Sequence, residues 1–480
     1  MNPLRPEASP LDSLGHFCGV AGVRSKNPSA SLNRLFYMLY ALQHRGQESF
    51  GVATLAADGT HQADLRLGMV SGAAGDWLSD ESLSRGGVGH VRYSTQGGGG
   101  LRNAQPISVE CTKGRISLAH NGNISNSSLI RRELFSRGAI FRTTSDSELI
   151  LHRVSRSEKS GLDAVLADAL GPLEGAYSLC LLWDDDLIAV RDPKGFRPLH
   201  LGIVGDAWVV ASETCAIAAV GGEHVREIEP GEAVAIGDGA FGPSGEPLPS
   251  GIRSFRAAER GSNAHCVFEL LYFARPDSTV FGESVLSARK RFGRSLGRAE
   301  RERLDVVVPV PDSGTIAALG FSEASGVPFD FGFTRNHYAG RSFIMPSKGE
   351  RELAVRIKLH ANREIVEGKR VAMVDDSLVR GTTAKIIVGL LREAGAREVH
   401  LRLAAPELKW PCYYGIDIPN RDELISNRMD PAGVASFTGA DTAAFLPVDA
   451  LTSCVGEPGA YCYACFDGRY PCPVRARDGT

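Results

Sequence analysis

The groups in this sequence with the clearest chemical potential are a thiol near the start of the chain, an adjacent pair of carboxylates further on, and several dispersed cysteines. Cys18 opens the apolar run Cys18-Gly19-Val20-Ala21-Gly22-Val23. A lone cysteine starting a strand is most simply a small buried hydrophobe. Four later segments change that balance: Leu42-Gln43-His44-Arg45-Gly46-Gln47-Glu48-Ser49, Gly89-His90-Val91-Arg92-Tyr93-Ser94-Thr95, His120-Asn121-Gly122-Asn123 and Thr144-Ser145-Asp146-Ser147-Glu148. Each puts polar groups at the end of an apolar run, where a strand would hand them to a site. A thiol near its unperturbed pKa of ~8.5 is only partly ionised at neutral pH and needs a base to attack. Taken singly, Arg92 and Asp146 read as surface ion-pair partners and Asn121-Gly122 as a hairpin turn.

The carboxylates lie in Val371-Ala372-Met373-Val374-Asp375-Asp376-Ser377-Leu378-Val379-Arg380-Gly381-Thr382-Thr383. The four apolar residues form a buried strand with Asp375 and Asp376 at its C-terminal edge, where α/β sheets bind ligands. A loop of small residues then opens a helix, whose free N–H groups and positive dipole end make an anion site. Thr382 and Thr383 add hydroxyls, and Gly381 lets the backbone fold round a phosphate. Acids directly before such a loop would repel a phosphate unless they bind something else, such as sugar hydroxyls or a metal ion. Near the C-terminus, Cys462-Tyr463-Ala464-Cys465 is a pair that fits a metal site or a redox motif equally well.

These groups need elements to hold them. From Cys18 to about Asp238, short apolar runs bounded by glycine read as strands: Cys18–Val23, Gly51–Leu55, Gly87–Val91, Ile116–His120, Ala176–Trp183, Leu187–Arg191 and Ala207–Ser212. Helices are predicted over Ser31–Gln43 and Ser145–Arg153. Strands in two groups with helices between them indicate a layered sheet domain. Phe241 to Gly261, rich in Gly, Pro and Ser, reads as a loop-rich boundary. Beyond it, strands over Leu304–Pro309, Lys369–Val374 and Glu398–Leu403, with a helix from Thr382 to Ala394, form βαβ units and so a parallel sheet.

The bulk composition is that of a globular protein: 480 residues, 43% hydrophobic, 23% charged. That length accommodates two to four domains at roughly 100–200 residues each. A net charge of −3 gives no basic field to gather a nucleic-acid backbone. No run approaches the ~18 apolar residues of a membrane span. Met1 to Phe17, with Pro3, Pro6, Pro10, Glu7 and Asp12, lacks the apolar core of a signal peptide. A cytoplasmic protein is expected, in which ten cysteines are thiols or metal ligands.

The order and wording of the first set of segments resemble the class II glutamine amidotransferases, which are N-terminal-nucleophile hydrolases. The resemblance implies an α+β layered αββα sandwich. It also implies that Met1 to Phe17 is a propeptide, removed to free the Cys18 α-amine as the base for its own thiol. Asn121 and the Gly122 N–H would form the oxyanion hole, Arg92 would hold the glutamine carboxylate, and Asp146 its ammonium. The segment 371–383 resembles the phosphoribosyl pyrophosphate loop of type I phosphoribosyltransferases, an α/β fold with a parallel sheet. Asp375 and Asp376 would then hold the ribose hydroxyls and help place Mg²⁺, with Ser313 of Val308-Pro309-Val310-Pro311-Asp312-Ser313-Gly314 a further ligand. Ser377, Arg380, Gly381, Thr382 and Thr383 would cradle the 5′-phosphate. Thr334 to Ile344 resembles the flexible lid, followed by the cations Lys348, Arg351, Arg356 and Lys358.

Both halves in this order, with Phe273-Ala274-Arg275-Pro276-Asp277-Ser278 between them, are similar to the amidophosphoribosyltransferase family over nearly all of residues 18–470. The implied organisation is a propeptide (1–17), a glutaminase domain (18–250), a phosphoribosyltransferase domain (262–430) and a C-terminal tail with cluster ligands (431–480). Implied ligands are glutamine, phosphoribosyl pyrophosphate and purine nucleotide inhibitors such as AMP and GMP, in a homo-oligomer expected to be a tetramer. Some members carry a [4Fe–4S] cluster, and their ligand segments match at Cys266, Cys412, Cys462 and Cys465, although four thiolates would also suit zinc. Cys111, Cys180, Cys215, Cys454 and Cys472 read as ordinary thiols, with Cys472 near enough to compete. Leu270 stands where the family commonly has an aromatic residue, at a place linked to sealing the ammonia path. Two other readings are a class II enzyme that aminates a sugar phosphate, which would lack the 375–383 loop, and a non-catalytic phosphoribosyl-binding regulator, which would not need Cys18, Asn121 or Asp146.

Overall fold

Strands buried along most of their length organise the first half of the chain into two antiparallel sheets. The computed structural model describes residues 18–56, 58–93, 100–337, 355–418 and 420–474. The expected propeptide, the expected lid from Tyr338 to Ile344, and the cations Lys348 and Arg351 lie outside those residues. One sheet runs, edge to edge, Glu223–Glu227, His200–Val204, Ala207–Ala211, Gly19–Ser29, Ser84–Arg92, Ser49–Leu55, His61–Leu67. The other runs Arg253–Arg256, Glu232–Ile236, Asp186–Arg191, Gly175–Trp183, Gly114–Ile124, Ile107–Cys111. Small and aliphatic residues fill the space between them, among them Val20, Ala53, Val88, Ala119, Cys180, Leu182 and Val210. The approach is close: a Cβ on Gly22 would stand 2.5 Å from Cys180 Sγ.

Helix Ser31–Ala41 covers the outer face of the first sheet through Leu35, Phe36 and Leu39. Helices Ser147–Arg156 and Leu162–Leu170 cover the second through Leu149, Ile150, Val165 and Leu166. The result is the αββα layering expected from the sequence. Asn121 and Gly122 do not form a hairpin turn. They lie inside strand Gly114–Ile124, paired to Ser178 and Tyr177. The stretch 241–261 contributes strand Arg253–Arg256 to a sheet edge, paired with Glu232–Ile236, so the sheet runs past residue 250.

The second half holds a parallel sheet in the order Val306–Pro309, Arg370–Asp375, Glu398–Leu403, Thr442–Phe445. Its period of two is visible in the packing. Val307, Ala372 and Val374 face helices Val285–Arg298 and Thr315–Ser325. Val306, Val308, Val371 and Met373 face Thr382–Glu393 and Pro431–Thr438. The fourth strand comes from the stretch expected to be a tail, which had shown no clear periodicity because four residues are too few to display one.

Helices Val285–Arg298 and Thr315–Ser325 touch through glycine. A Cβ on Gly293 would lie 1.9 Å from the Ala317 carbonyl oxygen, and one on Gly320 would lie 2.2 Å from that of Lys290. Alanine would gain about 1 kcal/mol of helix propensity at either place, but forcing packed backbones apart costs about 1–3 kcal/mol or more. Gly293→Ala is therefore expected to lower the unfolding midpoint in thermal or urea melts. A raised midpoint would mean that the helices separate freely.

Candidate active sites and the cysteine cavity

Cys18 directly precedes strand Gly19–Ser29, whose pairing of Gly19 with Val91 sets the cysteine beside the end of Ser84–Arg92. Its Sγ lies 3.9 Å from the Tyr93 carbonyl oxygen. Burial pushes the thiol's pKa up, while the charge of Arg92 draws it down. Ser212, which follows strand Ala207–Ala211, links this strand to the facing sheet. Its Oγ accepts from Val20 N at 2.9 Å and lies 3.4 Å from Asn121 Nδ2. Asn121 Oδ1 is buried without a partner. Position 122 accepts only glycine, since a Cβ there would stand 2.1 Å from the Ala176 carbonyl oxygen.

Arg92 is buried and its Nη1 meets Glu48 Oε1 at 3.2 Å. Asp146 Oδ2 accepts the Ile124 N–H at 2.8 Å, and Oδ1 is 3.9 Å from His120 Nδ1. Asp146 thus pins the end of the strand that carries Asn121. Glu148 accepts from Arg142 N, Thr143 N and Thr143 Oγ1, each at 2.7 Å, which fixes the loop leading to Asp146. Ser212 was not among the residues singled out from the sequence. A single serine after an apolar run gives no local signal of a partner 91 or 192 residues away.

In the second half, Asp375 ends its strand and accepts from Asp376 N at 2.9 Å, with Ser313 Oγ at 3.5 Å. Ser377 Oγ donates to Asp376 Oδ1 at 2.7 Å, and Asp376 Oδ2 is buried without a partner. Burial raises both carboxyls above the ordinary range, and the neighbouring Asp376 adds to the rise at Asp375. The loop before helix Thr315–Ser325 presses on this strand end, for a Cβ on Gly314 would lie 2.4 Å from the Val374 carbonyl oxygen. Gly381, at φ +80°, caps helix Thr382–Glu393, so Thr382 and Thr383 stand in its first turn. Arg380 pairs with Glu423 at 2.8 Å. Arg356, expected among the lid cations, reaches both oxygens of Glu393 at 2.6 and 2.7 Å.

A buried charge network joins the two regions. Arg45, in the turn Gln43–Arg45, contacts Glu213 and Glu269, and Arg197 meets Glu269 Oε1 at 3.3 Å. All four side chains are fully buried. Glu269 opens a π-helical turn, Glu269–Phe273, whose Leu270 packs in the core with Val374 and Val379. Arg289 Nε donates to the Leu270 carbonyl at 2.9 Å and its Nη2 to that of Ala274 at 2.8 Å.

Cys266, Cys412, Cys462 and Cys465 line one small enclosed cavity with Phe196, Tyr414, Ile416, Ala464 and Tyr470. A two-residue parallel pairing sets Cys266 against Cys462. Burial, then the neighbouring sulfurs, push the thiols of Cys462 and Cys465 well up, and burial pushes Cys266 up to about 11. Among the described residues, no three or more His, Cys, Asp or Glu side chains gather as a site for a metal ion. The four cysteines instead surround a space. Cys472 does not line it. Its backbone N–H and carbonyl both bond the Tyr414 hydroxyl at 3.0 Å. Among the described residues, no helix is long and apolar enough to cross a membrane.

Residues 90–219 match the model of the glutamine amidotransferase domain. The amidophosphoribosyltransferase of Bacillus subtilis (strain 168) is 41% identical, covering 97% of this chain and 96% of the relative. That of Methanocaldococcus jannaschii is 43% identical, covering 95% and 98%. The chloroplastic enzyme of Glycine max is 44% identical, covering 95% and 78%. Among solved structures, the glutamine phosphoribosylpyrophosphate amidotransferase of B. subtilis complexed with ADP and GMP aligns at a TM-score of 0.85 and 40% identity, covering 95% of this chain and 98% of that one. A structure described as the allosteric regulatory enzyme of purine biosynthesis aligns at 0.87 and 40%, covering 96% and 98%.

The buried network yields a pH prediction. Burial alone would raise Glu213, but Arg45 and His44 overcome it and hold the carboxyl well below its ordinary 4.5. A depressed carboxyl contributes stability that is present above its unfolded pKa and lost as pH falls through the folded one. Removing one partner of a buried pair costs about 3–5 kcal/mol. Glu213→Gln is expected to unfold well before wild type near neutral pH, with the gap narrowing only below pH 4.5. Melts at a series of pH values measure this, and a gap constant down to strongly acid pH would contradict it.

Proposed function

Because this chain belongs to the amidophosphoribosyltransferase family, we propose that it moves the amide nitrogen of glutamine to C1 of phosphoribosyl pyrophosphate. With one water consumed, the products are 5-phosphoribosylamine, glutamate and pyrophosphate, the first committed step of de novo purine synthesis. The observation that carries this reading is the junction of two unlike sites through Arg45 and Glu269: a cysteine beside Arg92, on a strand that Ser212 ties to Asn121, and an acid pair before a phosphate-type loop.

In the first site, removal of residues 1–17 would give Cys18 a free α-amine with a pKa of ~7.7–8.0. That amine takes the thiol proton, and the sulfur attacks the glutamine carboxamide carbon. The Asn121 side-chain amide and the Gly122 N–H receive the developing oxyanion. The C–N bond breaks, the amine returns the proton to the departing ammonia, and water hydrolyses the thioester to glutamate. Arg92, with its planar donor fork, suits the substrate carboxylate, and Asp146 suits its ammonium. Binding there would shift Arg92 from Glu48 towards the ligand.

In the second site, Asp375 and Asp376 would hold the ribose hydroxyls, and Ser377, Arg380, Gly381, Thr382 and Thr383 the 5′-phosphate. Ser313, Asp375 and Asp376 also fit Mg²⁺, since a buried pair of carboxyls with an orphaned oxygen has use for a cation. Bound magnesium would supply positive charge to the pyrophosphate oxygens. As pyrophosphate leaves, ammonia adds to C1 from the opposite face and loses a proton. Water competes with ammonia, so an interior path past the turn 269–273 is part of this reading, with Leu270 as an aliphatic wall.

Cys266, Cys412, Cys462 and Cys465 would hold a [4Fe–4S] cluster. Four thiols around one cavity fit it, and bound there it would pin the C-terminal stretch to the body of the protein. ADP and GMP on the B. subtilis relative support purine nucleotides as regulators. A cytoplasmic homotetramer completes the proposal.

Two experiments test these statements. Cleaved protein should release glutamate from glutamine when phosphoribosyl pyrophosphate is present, and Cys18→Ser should lose that activity while keeping ammonia-dependent synthesis. Glutaminase activity in a chain whose intact mass still includes Met1 to Phe17 would sink the amine mechanism. Anaerobically purified protein should carry about four irons and four sulfides per chain, lost in Cys465→Ser. Stoichiometric zinc with no iron would overturn the cluster.

A further inference from the structure

The loop after strand Glu398–Leu403 crosses from the second half to the back of the strand that carries Asn121 and Gly122. Three consecutive residues meet the first domain. The Tyr413 carbonyl accepts from Asn123 Nδ2 at 2.7 Å. The Tyr414 carbonyl accepts from Arg197 Nη2 at 2.8 Å, and the Tyr414 ring stacks on Phe196 at 4.4 Å between centroids. Gly415 adopts φ +107°, a conformation that L side chains rarely take. A Cβ there would stand 3.3 Å from the carbonyl carbon of Gly122, 3.5 Å from its oxygen and 3.4 Å from Arg197 Nη2. The Gly122 Cα also faces the Ala176 carbonyl, where a Cβ would come within 2.1 Å. The Cα and carbonyl of residue 122, one bond beyond its N–H, are thus held between strand Gly175–Trp183 and a loop some 290 residues further along the chain.

We propose that Gly415 is a positioning residue for the glutaminase reaction: with the Asn123–Tyr413 bond, it sets from the second domain where the Gly122 peptide lies. The inference rests on the functional reading above, in which the Gly122 N–H receives the oxyanion. A donor that must meet an oxyanion tolerates little displacement, because its contribution depends on a heavy-atom distance of about 2.7–3.1 Å. The expected effect of moving it is a loss in the chemical step with little change in substrate affinity. The second site lies on other elements and should not respond.

The test compares two nitrogen donors on the full, cleaved chain. In Gly415→Ala, kcat for glutamine hydrolysis is expected to fall about tenfold or more, with KM for glutamine changed less than about twofold. Ammonia-dependent consumption of phosphoribosyl pyrophosphate should stay within about twofold of wild type. Unchanged glutamine kcat overturns the proposal, and so does a parallel fall with both donors, which would mark Gly415 as merely structural. If the alanine variant does not fold, Asn123→Ala cuts the same clamp without adding a side chain at 415. The same split between donors supports the proposal there, and wild-type kcat with glutamine refutes it. Glutamate release by wild type in the same assay separates failure of this inference from failure of the functional reading.

Discussion

Two guanidiniums and two carboxylates with no access to water hold the halves of this chain in one arrangement. Removing each such ion from water costs several kcal/mol, repaid only when partners and residual hydrogen bonds are all in place. Among Arg45, Arg197, Glu213 and Glu269 most of those partners are present. The charges cancel, Glu213 Oε2 also accepts from Arg275 N at 2.9 Å and Ser278 Oγ at 2.7 Å, and Arg197 reaches the Tyr414 carbonyl. Apolar residues of the same volume could hold the surfaces together as well, but would tolerate sliding. Ionic partners with directional bonds leave few alternatives.

That constraint explains why the two sites are fixed relative to one another. Arg45 belongs to the turn after helix Ser31–Ala41, which packs on the sheet beginning at Cys18. Glu269 opens the turn whose Leu270 carbonyl, with that of the following Ala274, is held by Arg289, and whose Leu270 lies in the same core as Val374, next to the acid pair. A displacement at either site would have to break a buried ion pair or open a packed core. Nitrogen transfer between distant centres needs this rigidity, since ammonia that escapes to water is lost to the reaction.

The cysteine cavity belongs to the same architecture. Cys412 lies one residue before Tyr413 and three before Gly415, whose contacts fall on the strand carrying Asn121 and Gly122. Cys266 lies three residues before Glu269. The cavity therefore borders both arms of the junction and is tied to the strand carrying Asn121 and Gly122 by a few residues of backbone.

Much of this was legible in the sequence because the chemistry is local. Asp375 to Thr383 place acids, a glycine at positive φ and a helix start within nine residues, and they fold as read, with Gly381 at φ +80°. A layered sheet domain and the parallel sheet followed from glycine-bounded apolar runs, the αββα order from the family resemblance, and helix Thr382–Glu393 begins where its loop ends. Short or weakly patterned elements did not show: helix Ser127–Ser136, strand Thr442–Phe445 and strand Arg253–Arg256 owe their state to neighbours. Asn121-Gly122 reads as a turn in isolation and became strand because Ser178 and Tyr177 pair with it. Only the tertiary structure decided that Arg45 would meet Glu269, 224 residues away, or that Ser212 and Gly415 would reach the strand carrying Asn121 and Gly122. A motif encodes groups that act within a turn or two of one another. Long-range partners are chosen by packing and burial, which no local spacing records.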